Sequence, residues 1–372
     1  MFKTTRLVAY TLGVVCAWSV SGTTRADAVE DFYKGKSIRM IVGASAGGGN
    51  DVYARLLARH MGRHVPGKPG LVVQNMPGAG SLIAANMLYN KAPRDGSVIG
   101  ALTRVLPLDP LIGDAAKAQF DSLKFNWLGS LNKDTNIIVA WHTAPVKSVD
   151  DIFKTEMLVA AAGANTDGVV YPKIINKLMG GKFRIVAGYP GSGDMMLAME
   201  RGEVHGRGGV PVGTILGNHS DWLKAGKIKI IVQLALKKDP VLPNVPLLLD
   251  MVKDPDTRSV FELLFSRQEM GRPYVIPPAV PADRVAALRA AFVATGKDKA
   301  FTGEAAKLKL PLDVISGEEV AALIAKAYAT PAKTIELTKS LLGDASGIGK
   351  CSDVTEAAKC QAKKKKKKKK KT

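Results

Sequence analysis

Along the chain, short apolar runs alternate with segments of helical period. Residues 38–42, IRMIV, precede an amphipathic stretch at 51–61, and 71–74 precede 81–89. A strand is predicted at 97–103, and the run 136–141 precedes a helix expected to open at Ser148-x-x-Asp151. Then 157–161 precedes 168–179, 183–187 precedes 194–201, and 228–236 is the last long strand. This alternation predicts an α/β fold built around largely parallel sheets. The final third turns helical. Pro281-Ala282-Asp283 opens a helix with Val285, Leu288, Phe292 and Val293 on one face. Ser316 and Glu319 form a capping box, with Ile315 and Val320 placed as its hydrophobic staple. The stretch LKKDPVLPNVPLLLD reads as a surface crossing.

Four strand-to-helix junctions repeat one theme. They are Gly47-Gly48-Gly49-Asn50-Asp51, Asn75-Met76-Pro77-Gly78-Ala79-Gly80-Ser81, Gly163-Ala164-Asn165-Thr166-Asp167-Gly168 and Tyr189-Pro190-Gly191-Ser192-Gly193-Asp194. Each sets a helix N-terminus at the carboxyl end of a strand, where unpaired N–H groups and the helix dipole favour negative charge. Glycine lets a ligand approach the backbone, and open α/β sheets bind ligands at this edge. One such loop is ordinarily a turn; four in one chain point to a cradle for an anion.

Three chemistries compete for the first loop. Gly43-Ala44-Ser45-Ala46-Gly47 fits G-x-S-x-G, the elbow of a secreted serine hydrolase using Ser45. Against it, Gly48-Gly49 loosens the turn, the elbow follows the first strand of the chain, and no spacing singles out Asp194 or His205 as partners. A Walker loop needs Gly-Lys-Ser/Thr, yet Asn50 follows Gly49, and the dinucleotide fingerprint is missing too. A small-anion cradle without catalysis remains. It calls for no cofactor, and the histidines and cysteines offer no metal-ligand spacing.

The ends change the picture of location. Lys3 and Arg6, an apolar stretch at 7–20 and Ala26-Asp27-Ala28 form an expected signal peptide, residues 1–28, cut after Ala28. The stretch is short for a membrane anchor, and Val14-Val15 before Cys16 does not suit a lipoprotein site. The formal charge of +20 falls to +11 without the lysine run 363–371, and to +9 without the leader as well. A polyanion-binding tail would also explain the lysines, but no aromatic residue interleaves with them for bases to stack on. A solvated tail over 346–372 is expected, with no nucleic-acid partner. Cys351 and Cys360 are free to pair in an oxidising compartment.

ASAGGGNDVYARLLARHMGRHVPG, VVQNMPGAGSLIAANMLYNKAPRDGSVIG and IVAGYPGSGDMMLAMERGEVHGRGG resemble the periplasmic receptors of tripartite tricarboxylate transporters, the Bug family. IVQLALKKDPVLPNVPLL and EMGRPYVIPPAVPADRVAALRAAF continue the likeness, which spans roughly residues 38–342. The resemblance implies a two-domain periplasmic-binding-protein fold, a Venus flytrap with crossing hinge strands. It also implies a small organic carboxylate ligand, membrane transporter subunits as partners, a periplasmic location and no enzymatic activity; a monomer is the default expectation. Hinges are expected at 124–131 and 227–234. They divide the chain into a first domain of 29–127 and 229–345 and a second of 128–228. Ser45, Gly47, Gly48, Gly49, Asn50 and Asp51, with Pro77, Gly78, Ala79, Gly80 and Ser81, would form one wall. Asn165, Thr166 and Asp167, with Tyr189, Gly191 and Asp194, would form the other.

Individual side chains keep two readings. Asp51 is a helix-dipole partner first and a reader of a ligand amine or hydroxyl second. Ser81 either caps its helix or touches ligand. Thr103 and Arg104 end a strand at the ligand edge, and Arg104 is either a surface arginine or a bidentate clamp for a distal carboxylate. Arg207, beside glycines in HGRGG, has the same two readings. Tyr189 is placed to lie along the ligand body, whereas Trp141 and His142 read as packing and surface.

Overall fold

The computed structural model describes residues 23–44, 46–113, 116–163, 166–189, 191–343 and 346–354, excluding the side chains of 23–27, 218 and 351. Two six-stranded sheets organise the chain. The first contains β1 (Ser37–Val42), β2 (Gly70–Asn75), β3 (Val98–Ala101), β4 (Asn126–Ser130), β10 (Pro273–Ile276) and β11 (Ile315–Ser316), in the order β11-β4-β10-β3-β1-β2. The second contains β5 (Asn136–Trp141), β6 (Met157–Ala161), β7 (Phe183–Ala187), β8 (Gly206–Pro211), β9 (Ile228–Leu234) and β12 (Ile348–Lys350), in the order β12-β7-β6-β8-β5-β9. β1 pairs in parallel with β2 and β3, and β6 with β7 and β8. The later strands, β10 on β3 and β5 on β8, join antiparallel.

Helices cover both faces of each sheet, as apolar strands buried on two sides require. Helix α1 (Thr23–Tyr33) runs through the expected cleavage point after Ala28 and buries Val29 and Tyr33. On the first sheet, α2 (Gly49–Met61), α8 (Ala282–Lys297) and α9 (Lys299–Lys307) share one core with Leu56, Phe292 and Phe301. α3 (Leu82–Asn90) and α10 (Gly317–Tyr328) pack on the opposite face. On the second sheet, α4 (Asp167–Met179), α7 (Pro255–Ser266) and α11 (Ala332–Gly343) lie on one side. α5 (Ser192–Glu200) and α6 (Val212–Asn218) lie on the other. α10 opens with both bonds of the capping box, Glu319 N–H to Ser316 Oγ and Ser316 N–H to Glu319 Oε2.

The crossings fall elsewhere than the sequence suggests. β9 is hydrogen-bonded along its length to β5, from Asn136↔Leu234 to Trp141↔Ile228, so 228–234 belongs to the second sheet. β4 is likewise held in the first sheet by β10 and β11. Their apolar runs reflect burial between helix layers. The passages between sheets are 131–135 and 235–272, the latter carrying α7 on the second sheet before it crosses, with α10 and α11 carrying the chain across once more to β12. Residues 348–350, expected in the tail, pair in parallel with β7. Cys360, the lysine run and the side chain of Cys351 lie outside the described residues.

Two further differences have local causes. The stretch after Ser148 makes only a 3-10 turn at Asp150–Phe153, with Asp151 accepting the N–H groups of Lys147 and Ser148. β8, GRGGVP, has little strand propensity, yet its glycines are required by close packing. A Cβ at Gly208 would lie 2.1 Å from Pro172 Cγ of α4, and one at Gly206 would lie 2.0 Å from the Val139 carbonyl.

Gly129 in β4 has φ +147, and a Cβ there would lie 2.4 Å from Phe292 Cε1 and 2.5 Å from the Ile315 carbonyl. Gly129→Ala is expected to destabilise the protein by about 2–4 kcal/mol through backbone strain and overpacking, read as a lowered urea midpoint.

Candidate functional site

The carboxyl ends of β1, β2 and β3 share one edge of the first sheet, and those of β6, β7 and β8 share one edge of the second. At the first edge the loop after β1 is tied down by Asp51, which is 2% exposed. Its carboxylate accepts the Gly47 N–H at 2.8 Å, Arg55 Nε at 3.0 and 3.1 Å, and Asn75 Nδ2 at 2.8 Å. Asn75 also donates to the Ala44 carbonyl at 3.0 Å, so the end of β2 braces the loop. Burial pushes the Asp51 carboxyl up, but bonds from Arg55, Gly47 and Asn75 outweigh it and hold it below the ordinary carboxylate value. Its acceptors are fully engaged within the protein.

Ser81 stands at the N-cap position of α3, but its side chain makes no cap bond; it is completely buried at φ +81. Its Oγ donates to the Gly43 carbonyl at 2.9 Å and accepts the Thr103 N–H at 3.1 Å, stitching β1 to the end of β3. Thr103 Oγ1 in turn donates to the Gly80 carbonyl at 2.6 Å. Gly78, Ala79, Gly80 and Ser81 all have positive φ, a tight turn that leaves Pro77, Ala79 and Gly80 exposed. Gly49 and Asn50 begin α2 behind Gly48, whose extended backbone forms the N-cap without a side-chain bond. Ser45 lies outside the described residues.

At the second edge, Thr166 Oγ1 donates to the Gly163 carbonyl at 2.7 Å, and no described side chain caps α4. Asn165 lies outside the described residues. Gly191 is the extended N-cap of α5, again without a side-chain bond, and Asp194 is exposed on its first turn. Tyr189 is buried in the apolar cluster with Trp141, Met195 and Ile215, and its hydroxyl meets no partner among the described residues. It is therefore mainly a core side chain. Trp141 is buried and His142 exposed, as the sequence suggests.

The two edges meet through charge. Arg104, just past β3, is bonded to Asp167, the first residue of α4 on the other sheet. Its Nη1 also donates to Asp134 Oδ2 at 2.6 Å. Arg267 Nη2 reaches Asp167 Oδ1 at 2.7 Å, Arg272 Nη1 reaches Asp134 Oδ2 at 2.9 Å, and Asn136 Nδ2 reaches Asp167 at 3.3 Å. Arg104 is thus neither a surface arginine nor an unoccupied clamp; its side chain is 12% exposed and joins the two lobes. A cavity of about 940 Å³ lies alongside, lined from both lobes by Asp134, Thr135, Val212, Gly213, Gln268 and Pro311 among others.

Arg207 has a different environment. It is 7% exposed, its Nη1 donates to Ser192 Oγ at 2.6 Å, and its Nε has no partner. No carboxylate among the described residues pairs with it, and burial pulls its pKa down to about 10. Sequence reasoning brought out Arg104, Asp167, Arg207 and the loop holding Ser192 but missed Asp134, Asn136, Arg267 and Arg272. The only local signal was the pair of arginines flanking the short turn before β10. Among the described residues no group of three His, Cys, Asp or Glu could hold a metal, and no helix is long and apolar enough to cross a membrane.

This architecture is that of periplasmic solute-binding proteins, two α/β lobes arranged as a Venus flytrap. More narrowly, it is the fold of the TctC and Bug proteins. A TctC solute-binding protein from Polaromonas superposes with TM-score 0.64 at 20% identity, covering 83% of this chain and 99% of that one. The periplasmic binding protein BugD gives 0.59 at 20% identity, covering 86% and 100%. MatC from Rhodopseudomonas palustris, with bound malate, gives 0.54 at 19% identity, covering 82% and 99%. In sequence, the UPF0065 protein in the gbd 5′ region of Cupriavidus necator is 24% identical over 254 residues, 64% of this chain and 72% of that protein. No family model matches the chain.

The junction charges generate a stability prediction. Burial raises the Asp167 pKa, but the neighbouring Arg104 and Arg267 outweigh it and the net shift is downward. Its contribution is therefore complete above the unfolded value of about 4 and is lost as pH falls through the lowered folded value. Asp167→Asn is expected to lose roughly 3–5 kcal/mol at pH 7 by leaving buried guanidinium unpaired. Its stability should also fall less steeply than that of the parent below about pH 4, measured by denaturant titration at a series of pH values.

Proposed function

We propose that this chain is an exported receptor that captures a small organic carboxylate between its lobes and hands it to the membrane subunits of a tripartite tricarboxylate transporter. The observation that carries the reading is the set of helix starts at the facing edges. α2, α4 and α5 each begin at the carboxyl end of a parallel strand, and none has a side-chain cap among the described residues. Their first N–H groups lack intrahelical acceptors and their dipoles point positive into the space between lobes. That is a donor set for an oxyanion, and MatC, which shares the fold, holds malate. The polar side chains Asp51, Ser81 and Thr103 are engaged in holding the loops. On this reading the protein is periplasmic, monomeric and non-catalytic, and its lobes divide at 131–135 and 235–272.

A ligand that binds only the folded state stabilises it by about 2.7 kcal/mol at one hundred times its Kd. A thermal-shift screen of the mature chain against mono-, di- and tricarboxylates should therefore give a concentration-dependent rise for one chemical class. Gly78→Val, which forces a β-branched residue into φ +151 against Ile83, should abolish it. If ligand-free protein responds to no carboxylate, the receptor reading fails.

A further inference from the structure

The described residues bury two arginines, Arg267 and Arg207. Arg267 is bound to Asp167, whereas Arg207 meets no described carboxylate. A guanidinium removed from water without a counter-ion destabilises the fold. Here it is also aimed at a helix start: Nη1 holds the hydroxyl of Ser192, the first residue of α5, and Nε is left without an acceptor. The N–H groups of Ser192, Gly193 and Asp194 open that same helix with no side-chain cap. On the first lobe, by contrast, Arg104 and Arg272 are already bound to Asp134, and Asp51 is saturated.

Building on the receptor reading, we infer that Arg207, Ser192 and the first turn of α5 form the charge-reading pocket, which takes one carboxylate group of the ligand. The first lobe then meets the rest of the molecule with uncharged donors. A planar carboxylate suits a guanidinium whose Nε is open, because the two oxygens can pair with Nε and a neighbouring amino group. The α5 N–H groups supply further donors from the side. The pocket thus selects an acid over its neutral amide, and it leaves the ligand's other end to be discriminated elsewhere.

The test is calorimetric titration and thermal unfolding of the mature chain and of Arg207→Met, Arg207→Lys and Ser192→Ala. The probes are succinate, malate, adipate, citrate and benzoate, with sulfate and phosphate alongside. Arg207→Met should raise the melting temperature of the unliganded protein, because a flexible apolar chain of similar length replaces an unpaired buried charge. The same variant should weaken carboxylate binding about 100-fold, and Ser192→Ala about tenfold. Arg207→Lys should fall between parent and Met variant, since it keeps the charge but loses the planar fork. Equal carboxylate affinity in the parent and Arg207→Met would overturn the pocket while leaving the receptor reading intact. Binding of sulfate or phosphate alone, lost in Arg207→Met, would keep an anion pocket but overturn its assignment to carboxylates and the receptor reading with it. No response to any anion would overturn both.

Discussion

The salt-bridged junction between the lobes is the constraint on which the rest of the structure depends. Asp167 starts a helix of the second sheet, Arg104 ends a strand of the first, and Asp134, Arg267 and Arg272 stand on the segments that pass between them. Three guanidiniums share two carboxylates, each buried enough that breaking one contact leaves a charge with nowhere to go. The arrangement orients one sheet's carboxyl edge toward the other's. Without it, the uncapped start of α2 on one lobe would stand apart from those of α4 and α5 on the other.

Around this junction the chain spends its polar side chains on holding backbone in place. Asp51 binds the Gly47 N–H and Asn75, Ser81 bridges Gly43 and Thr103, and Thr166 closes on Gly163. Loops fixed in this way can present main-chain donors in a defined direction, which is what recognition of an oxyanion by backbone requires. Arg207 departs from that pattern, since its buried side chain is bonded to the loop start through Ser192 while its Nε has no partner among the described residues. The contrast with Arg104 is instructive. Both arginines follow or form strands at the facing edges, but only one has found its carboxylates inside the protein.

Much of the fold was legible because it rests on local pattern. Apart from the helix expected after Ser148, the strand and helix runs through α5, the helix at Ala282–Lys297 and the Ser316–Glu319 capping box follow from apolar period and turn chemistry. The junction was not legible. Its members come from positions 104, 134, 167, 267 and 272, and no spacing links an arginine to an aspartate 63 residues away. β8 was obscured for a different reason: its glycines weaken any strand signal, and their purpose appears only once Pro172 and Val139 are brought against them. The crossings were misplaced because a hydrophobic run reports burial and not which sheet a strand joins. Among single residues, Ser81 shows the limit best. Its sequence position suggests a cap or a ligand contact, and its burial makes it a stitch between strands.

The two passages between the sheets run side by side. The Gly271 N–H bonds to the Asn132 carbonyl at 2.8 Å, the Leu131 N–H to the Arg272 carbonyl at 3.2 Å, and the Asp134 N–H to the Gln268 carbonyl at 3.0 Å. They form a short ribbon, and a ribbon flexes readily across its face and resists shear within its plane. The third connection, through α10 and α11 to β12, is anchored at both ends, by α10 on the first sheet and by β12 on β7 of the second. The lobes are thus joined by three passages of chain, two of them paired as a ribbon and the third running separately through two helices. A body fixed to another at more than one place has fewer independent ways to turn on it than one hung from a single strand.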